Sequence, residues 1–202
     1  MEYEGEYLYD KKWNGKGYDK NDNIIYELKN GNGNVKEYDD GKLSFEGEYL
    51  NGKRNRIGKE YHYYDGTLKF EGEYLHGNAN GKGKEYYSNG ELEFEGEYLN
   101  GKRNGKGKEF YDNGVLKYEG EFCDGKRNWT GKEYDENGKL EYVGKYLDND
   151  KIWERKGYDN FNNIIYELKG GKGLIKEYNY YGKLLFEGEY LNGKRNGKGK
   201  EY

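Results

Sequence analysis

The sequence contains no proline, a single cysteine (Cys123) and a single methionine, and only 32% of its 202 residues are apolar. Each scarcity excludes something. One cysteine cannot make an internal disulfide framework or a multi-cysteine zinc site. No run approaches the roughly 18 apolar residues of a membrane-spanning helix. The start, Met1-Glu2-Tyr3-Glu4-Gly5, lacks the basic and apolar regions of a signal peptide. A cytoplasmic location is therefore expected, and the sequon Asn128-Trp129-Thr130 is read as accidental. An excess of one charge is also missing. The 35 basic and 39 acidic residues leave a net charge of −4, so the footprint of a nucleic-acid binder is absent and no nucleic-acid partner is expected.

Two abundances offset these gaps. Charged residues make up 37% of the chain, which with so few aliphatics would suggest disorder, yet 18% of residues are aromatic, 26 of them Tyr counted over the chain. Disordered segments are poor in aromatics and rich in proline. The sequence therefore describes an ordered chain that rings must hold together, because the aliphatics for a layered core are lacking.

The rings recur on a period. Aromatic-Glu-Gly-Glu-aromatic stands at Tyr3–Tyr7, Phe45–Tyr49, Phe70–Tyr74, Phe94–Tyr98, Tyr118–Phe122 and Phe186–Tyr190, with a degenerate copy at Tyr142–Tyr146. The central glycines fall at 5, 47, 72, 96, 120, 144 and 188, about 24 residues apart except for two gaps of nearly double length. Each long gap hides a diverged copy, Asn23-Ile24-Ile25-Tyr26-Glu27-Leu28-Lys29 and Asn163-Ile164-Ile165-Tyr166-Glu167-Leu168-Lys169. That makes nine units in one array over 1–202, starting near 3, 24, 45, 70, 94, 118, 142, 164 and 186. The ends also match each other at a shift of 140, as at Trp13 and Trp153, which becomes 141 past an inserted residue near Tyr180.

Within a unit the pattern alternates. In Leu68-Lys69-Phe70-Glu71-Gly72-Glu73-Tyr74 the even positions are apolar or glycine and the odd ones charged, which places one set on each face of a strand. A turn-rich stretch follows, then a second strand, Gly81–Tyr87, closed by Ser88-Asn89-Gly90. Asn-Gly and Asp-Gly, which recur at Asn51, Asn89, Asn100, Asn113, Asp124, Asn137 and Asn192, signal two-residue hairpins in which both residues reach positive φ. No helical period appears. The expected fold is all-β, a continuous antiparallel meander of two strands per unit. Glu71 and Glu73 on one strand and Lys82 and Lys84 on the next should form cross-strand pairs worth roughly 0.2–1 kcal/mol each. The glycine between two rings should leave a slot for an aromatic of the neighbouring strand.

Phe94–Phe110, Phe-Glu-Gly-Glu-Tyr-Leu-Asn-Gly-Lys-Arg-Asn-Gly-Lys-Gly-Lys-Glu-Phe, resembles a MORN (membrane occupation and recognition nexus) repeat, and Lys84–Leu92 resembles its variant form. The resemblance runs along essentially the whole chain, with shortened units near 23–38 and 163–178 and with Val143 and Lys145 flanking Gly144. It implies an elongated, twisted, single-layer sheet of stacked hairpins, and a non-enzymatic scaffold, interaction or membrane-proximal role.

Nothing in the sequence forms a catalytic constellation. The paired carboxylates recur in nearly every unit, whereas acid–base catalysis needs two groups in divergent surroundings. His62 and His76 fall in or beside turns, Cys123 stands where other units have Leu50, Leu75 and Leu99, and no phosphate-loop motif occurs. No metal or cofactor is implied. Two surfaces are candidates. Phe45, Tyr49, Phe70, Tyr74, Phe94, Tyr98, Tyr118 and Phe122 would line an elongated groove for a protein partner. Lys53, Arg54, Lys102, Arg103, Lys126, Arg127, Lys194 and Arg195, from the recurring Gly-Lys-Arg-Asn turn, would form an anion rail for peripheral binding to anionic phospholipids. Trp13, Trp129 and Trp153 lie at or near the same kind of turn. Open strands at both ends of the array predict end-to-end or homodimeric self-association.

Overall fold

The computed structural model describes residues 2–158, 164–168, 172–178, 183–191 and 194–202; Asn163, Tyr180 and Asn192-Gly193, and the side chains of Trp153 and Tyr166, lie outside the described residues. Among the described residues there is no helix, and hence none long and apolar enough to cross a membrane. The chain divides into two compact units, residues 1–103 and 104–202.

In the first unit, β1 (Tyr3–Leu8), β2 (Lys11–Tyr18) and β3 (Ile24–Leu28) form one antiparallel sheet. The strands β4 (Gly33–Asp39), β5 (Lys42–Leu50), β6 (Lys53–Tyr61), β7 (Leu68–Leu75), β8 (Asn78–Tyr86) and β9 (Leu92–Leu99) then pair in chain order. The register lays like beside like. Gly47, Gly58, Gly72, Gly83 and Gly96 face one another in an unbroken row. Beside it run Glu46, Lys59, Glu71, Lys84 and Glu95, alternating in charge from strand to strand as expected.

The second unit repeats the arrangement. The strand β10 (Lys102–Phe110), whose first two residues belong to the first unit, pairs with β11 (Leu116–Cys123), followed in order by β12 (Lys126–Tyr134), β13 (Leu140–Leu147), β14 (Asp150–Tyr158) and β15 (Ile164–Leu168). A further sheet holds β16 (Lys172–Tyr178), β17 (Leu184–Leu191) and β18 (Lys194–Glu201). Along β10–β13, Gly107, Gly120, Gly131 and Gly144 form the glycine row.

The expected continuous meander is corrected at the diverged copies. Between β3 and β4 only the single bridge Lys29–Asn32 forms, and β15 and β16 belong to different sheets. Where the hairpin β7–β8 sets Gly72 against Gly83, the diverged hairpin carries Leu28 and Val35 at the matching positions. Two buried aliphatic side chains (1% and 2% exposed) occupy space that paired glycines leave to the backbone, so the strands splay and pack through Leu28, Val35 and Tyr26 instead.

The turns are of two kinds, a distinction the dipeptides alone do not make. Asn51-Gly52, His76-Gly77, Asn100-Gly101 and Asp124-Gly125 have positive φ at both residues, the two-residue turn that matches strand twist. At Asn89-Gly90, Asn113-Gly114 and Asn137-Gly138 only the glycine does. In the first two of these the asparagine stays right-handed, and its side-chain oxygen accepts the N–H two residues on, of Glu91 or Val115.

Candidate functional site

The proposed groove is closed by its own rings. Phe45, Phe94, Tyr118 and Phe122 are 0% exposed, Phe70, Tyr74 and Tyr98 at most 6%, and Tyr49 is half-buried. They pack edge to face along the array. Tyr74 meets Phe45 at 5.5 Å and 81°, Tyr98 meets Phe70 at 5.2 Å and 81°, and Tyr146 meets Tyr118 at 5.2 Å and 87°. The glycine row is what lets them lie flat. A Cβ at Gly83 would stand 2.6 Å from the Phe70 ring and 3.1 Å from that of Tyr98, and one at Gly58 would stand 2.5 Å from the Phe45 ring. The slot thus takes the ring of the same hairpin as well as one from the next unit. These aromatics are the core of the sheet, and the expectation that they line an open groove is corrected accordingly.

The anion rail is corrected too, in its arginine half. Strand alternation sends the lysine and the arginine of each turn to opposite faces. Lys53, Lys102, Lys126 and Lys194 are exposed. Each arginine lies over an aromatic ring, with its guanidinium carbon 4.1 Å from the centroid of Phe45 (Arg54), 4.5 Å from Phe94 (Arg103), 4.4 Å from Tyr118 (Arg127) and 4.1 Å from Phe186 (Arg195). Each also forks onto a glutamate of the preceding unit. Arg54 donates Nε and Nη2 to the two oxygens of Glu37 at 3.0 and 2.9 Å, and Nη1 to Glu60 at 2.7 Å. Arg127 engages Glu109 and Glu133, Arg103 engages Glu85 and Glu93, and Arg195 engages Glu177 and Glu201. The same carboxylates accept the tyrosine hydroxyls: Tyr49 to Glu37 at 2.7 Å, Tyr74 to Glu60 at 3.0 Å, Tyr98 to Glu85 at 2.8 Å.

The electrostatics follow. Burial acts against the charged Arg54, but Glu37 and Glu60 more than offset it, and its pKa rises. Burial likewise opposes ionised Glu37, and the hydrogen bonds from Arg54 and Tyr49 bring its pKa below the usual carboxylate value. Tyr49, Tyr74 and Tyr98 are driven far up, first by burial and then by the adjacent glutamates. These glutamates were not among the candidate residues, although the recurring Lys-Glu-Tyr of each second strand (Lys36–Tyr38, Lys59–Tyr61, Lys84–Tyr86) marks them.

The other face carries the alternating charges. Tyr61 and Tyr86 reach over it, their hydroxyls donating to Glu46 and Glu71 at 2.7 Å; burial first, and then these hydrogen bonds, push both phenols up to about 12. At its turn end stand Leu50, Leu75 and Leu99, exposed by 41%, 45% and 50%. Strand alternation puts them on the side of Glu48, Glu73 and Glu97. Trp129 is 55% exposed at the bulge of β12, whereas Trp13 is half-buried against the turn at Gly31. His62 bonds the carbonyl of Tyr86 at 3.0 Å, His76 occupies a left-handed turn position, and Cys123 is partly buried. Among the described residues no group of three His, Cys, Asp or Glu could hold a metal.

The MORN repeat model matches residues 45–68, 70–91, 94–115 and 186–202, and the MORN repeat variant model matches residues 130–148, together about half of the chain. No curated protein matches it.

Proposed function

The chain belongs to the MORN-repeat family, whose repeats generally mediate protein or membrane interactions and whose all-β fold is typically non-enzymatic, and from that premise we propose that it is a non-enzymatic scaffold that binds a protein through its charged face. The observation that supports this reading is the row Leu50, Leu75 and Leu99. Leucines exposed by 41–50% recur at the same place in three successive units, and Ile57 (55% exposed) adds to the apolar surface of that face. Two strands separate successive leucines, roughly 9–10 Å. An amphipathic helix repeats an apolar side chain every seven residues, about 10.5 Å. The partner is therefore an amphipathic helix with acidic and basic flanks that meet Lys53 on one side and Glu73 and Glu97 on the other. Changing Leu75 and Leu99 to Asp should leave the melting temperature within a degree or two and abolish partner capture in a pull-down. Capture of the same partners at wild-type levels by that variant would defeat the reading. The alternative, binding to anionic phospholipids, keeps only the four exposed lysines, because the arginines are engaged internally. Co-sedimentation with anionic liposomes at two salt concentrations tests it.

A further inference from the structure

One full-length hairpin has no cation at the place of the arginines. Register pairs Tyr49 with Arg54, Phe122 with Arg127 and Tyr190 with Arg195. In the hairpin β7–β8 the same register pairs Tyr74 with Ala79. The other full-length hairpins without the arginine have a lysine there: Lys151 pairs with Tyr146, and Lys12, paired with Tyr7, sits 5.1 Å from the Tyr3 ring centre and bonds the Tyr26 hydroxyl at 3.1 Å. The backbone at Ala79 is unchanged. Its carbonyl accepts the N–H of Gly101 at 2.8 Å, just as that of Arg54 accepts the N–H of Gly77 at 2.9 Å.

What is missing is one side chain, and its place is a cavity of about 330 Å³. That is at the lower end of the range for small-molecule sites. Phe70 lines it where Phe45 and Phe94 lie under their arginines, and Glu60 and Glu85 line it where Glu37 and Glu60 hold Arg54. Both carboxylates are already set. The Tyr74 and Tyr98 hydroxyls orient them, and Glu60 spends only Oε1 on Arg54 and Tyr74. Lys69, exposed at the rim, makes no ion pair with either among the described residues.

We propose that this cavity is a guanidinium site, which takes the side chain of an arginine on a partner protein. The chain itself supplies the template four times over: one ring face below and two carboxylates placed for a fork. A planar guanidinium satisfies both requirements, whereas an ammonium is a point charge that can answer only one of them. The charge balance agrees, since the array sets one arginine between successive second-strand glutamates and here the cation is absent. The site shares with the proposed function only a protein partner. It lies on the ring face, away from Leu75, and its test needs no partner, so the two can fail separately.

The test is an amide-resolved NMR titration of the whole chain with N-acetyl-L-arginine N-methylamide. Saturable shifts are expected at Gly77, Ala79 and Gly101 with a millimolar dissociation constant. The corresponding lysine amide should bind at least fivefold more weakly. Ala79→Arg should fill the cavity from within, raise the melting temperature and lose the saturable response. Glu60→Gln, nearly isosteric, should weaken binding at least tenfold, which keeps the test open should Ala79→Arg fold poorly. A wild-type response no larger than that of Ala79→Arg or of Glu60→Gln, or equal binding of the lysine amide, overturns the site. Tighter binding of free L-arginine than of the blocked form would assign the cavity to the free amino acid and overturn the protein side chain as its occupant.

Discussion

Tyr49 and Arg54 face each other across the hairpin β5–β6, and both reach back to the same carboxylate, Glu37 of the preceding unit, at 2.7 Å for the hydroxyl and 2.9–3.0 Å for the guanidinium. One glutamate thus links two units through three hydrogen bonds beside the Phe45 ring. Where the arginine, the tyrosine and the glutamate recur together, as at Tyr98, Arg103 and Glu85, the link recurs. It replaces the second layer that an ordinary sheet would pack against.

Arg127 is the most enclosed of these arginines, its side chain 13% exposed beside Glu109 and Glu133 at 18% and 17%. Arg127→Ala leaves two carboxylates half-buried without their cation. Breaking a buried pair costs roughly 3–5 kcal/mol, and partial exposure puts this one at about 3 kcal/mol. Arg127→Lys should recover less than half, because the fork is lost. Urea denaturation of the three proteins, followed by the loss of β-sheet signal, measures the order.

Gly83→Val should destabilise. Its side chain would enter space held by the Phe70 and Tyr98 rings, and overpacking of this kind costs roughly 1–3 kcal/mol. Valine is otherwise the better strand former. A melting temperature equal to or above that of wild type would show that the rings can move aside.

Arg56→Gly should stabilise. Arg56 has φ 57° at a bulge where Gly81, Gly105 and Gly197 occupy the same place in their units with φ between 67° and 111°. Left-handed φ costs a side-chain-bearing residue about 1–2 kcal/mol. The ion pair lost with Glu48 is 71% exposed at the arginine and contributes little. A gain of about 1 kcal/mol is expected, read as a rise in the denaturation midpoint.

The tyrosines make the fold alkali-sensitive. Tyr61, Tyr86 and Tyr118 have pKa values raised from 10.0 to about 12, in each case first by burial. A group with a raised folded pKa contributes stability that is fully present below its unfolded value and is lost as pH climbs through the folded one. Stability should therefore hold to about pH 10 and fall between pH 10 and 12. Tyrosinate absorbance at 295 nm should rise together with the loss of sheet; a rise well ahead of it would contradict the shifts.

The alternation of Phe70, Gly72 and Tyr74 with Lys69, Glu71 and Glu73 determined by itself that these segments are strands, and the 24-residue period determined that they are hairpins of one kind, because a period of two is a local property that neighbouring residues carry between them. Register is not local. Whether Gly72 faces Gly83 decides which rings meet, and only the paired strands with their bulges decide that. Hence Arg54 reads in the chain as a solvated turn beside Lys53, although one step along a strand sends it to the other face, over Phe45 and onto Glu37, 17 residues away in sequence. The same cause hid the break at Leu28 and Val35, which read as ordinary strand residues until they stand where paired glycines would. Ala79 is a small residue in a turn-rich stretch by sequence; only the tertiary structure, by laying it beside Tyr74 between Glu60 and Glu85, makes it the place where a guanidinium is missing.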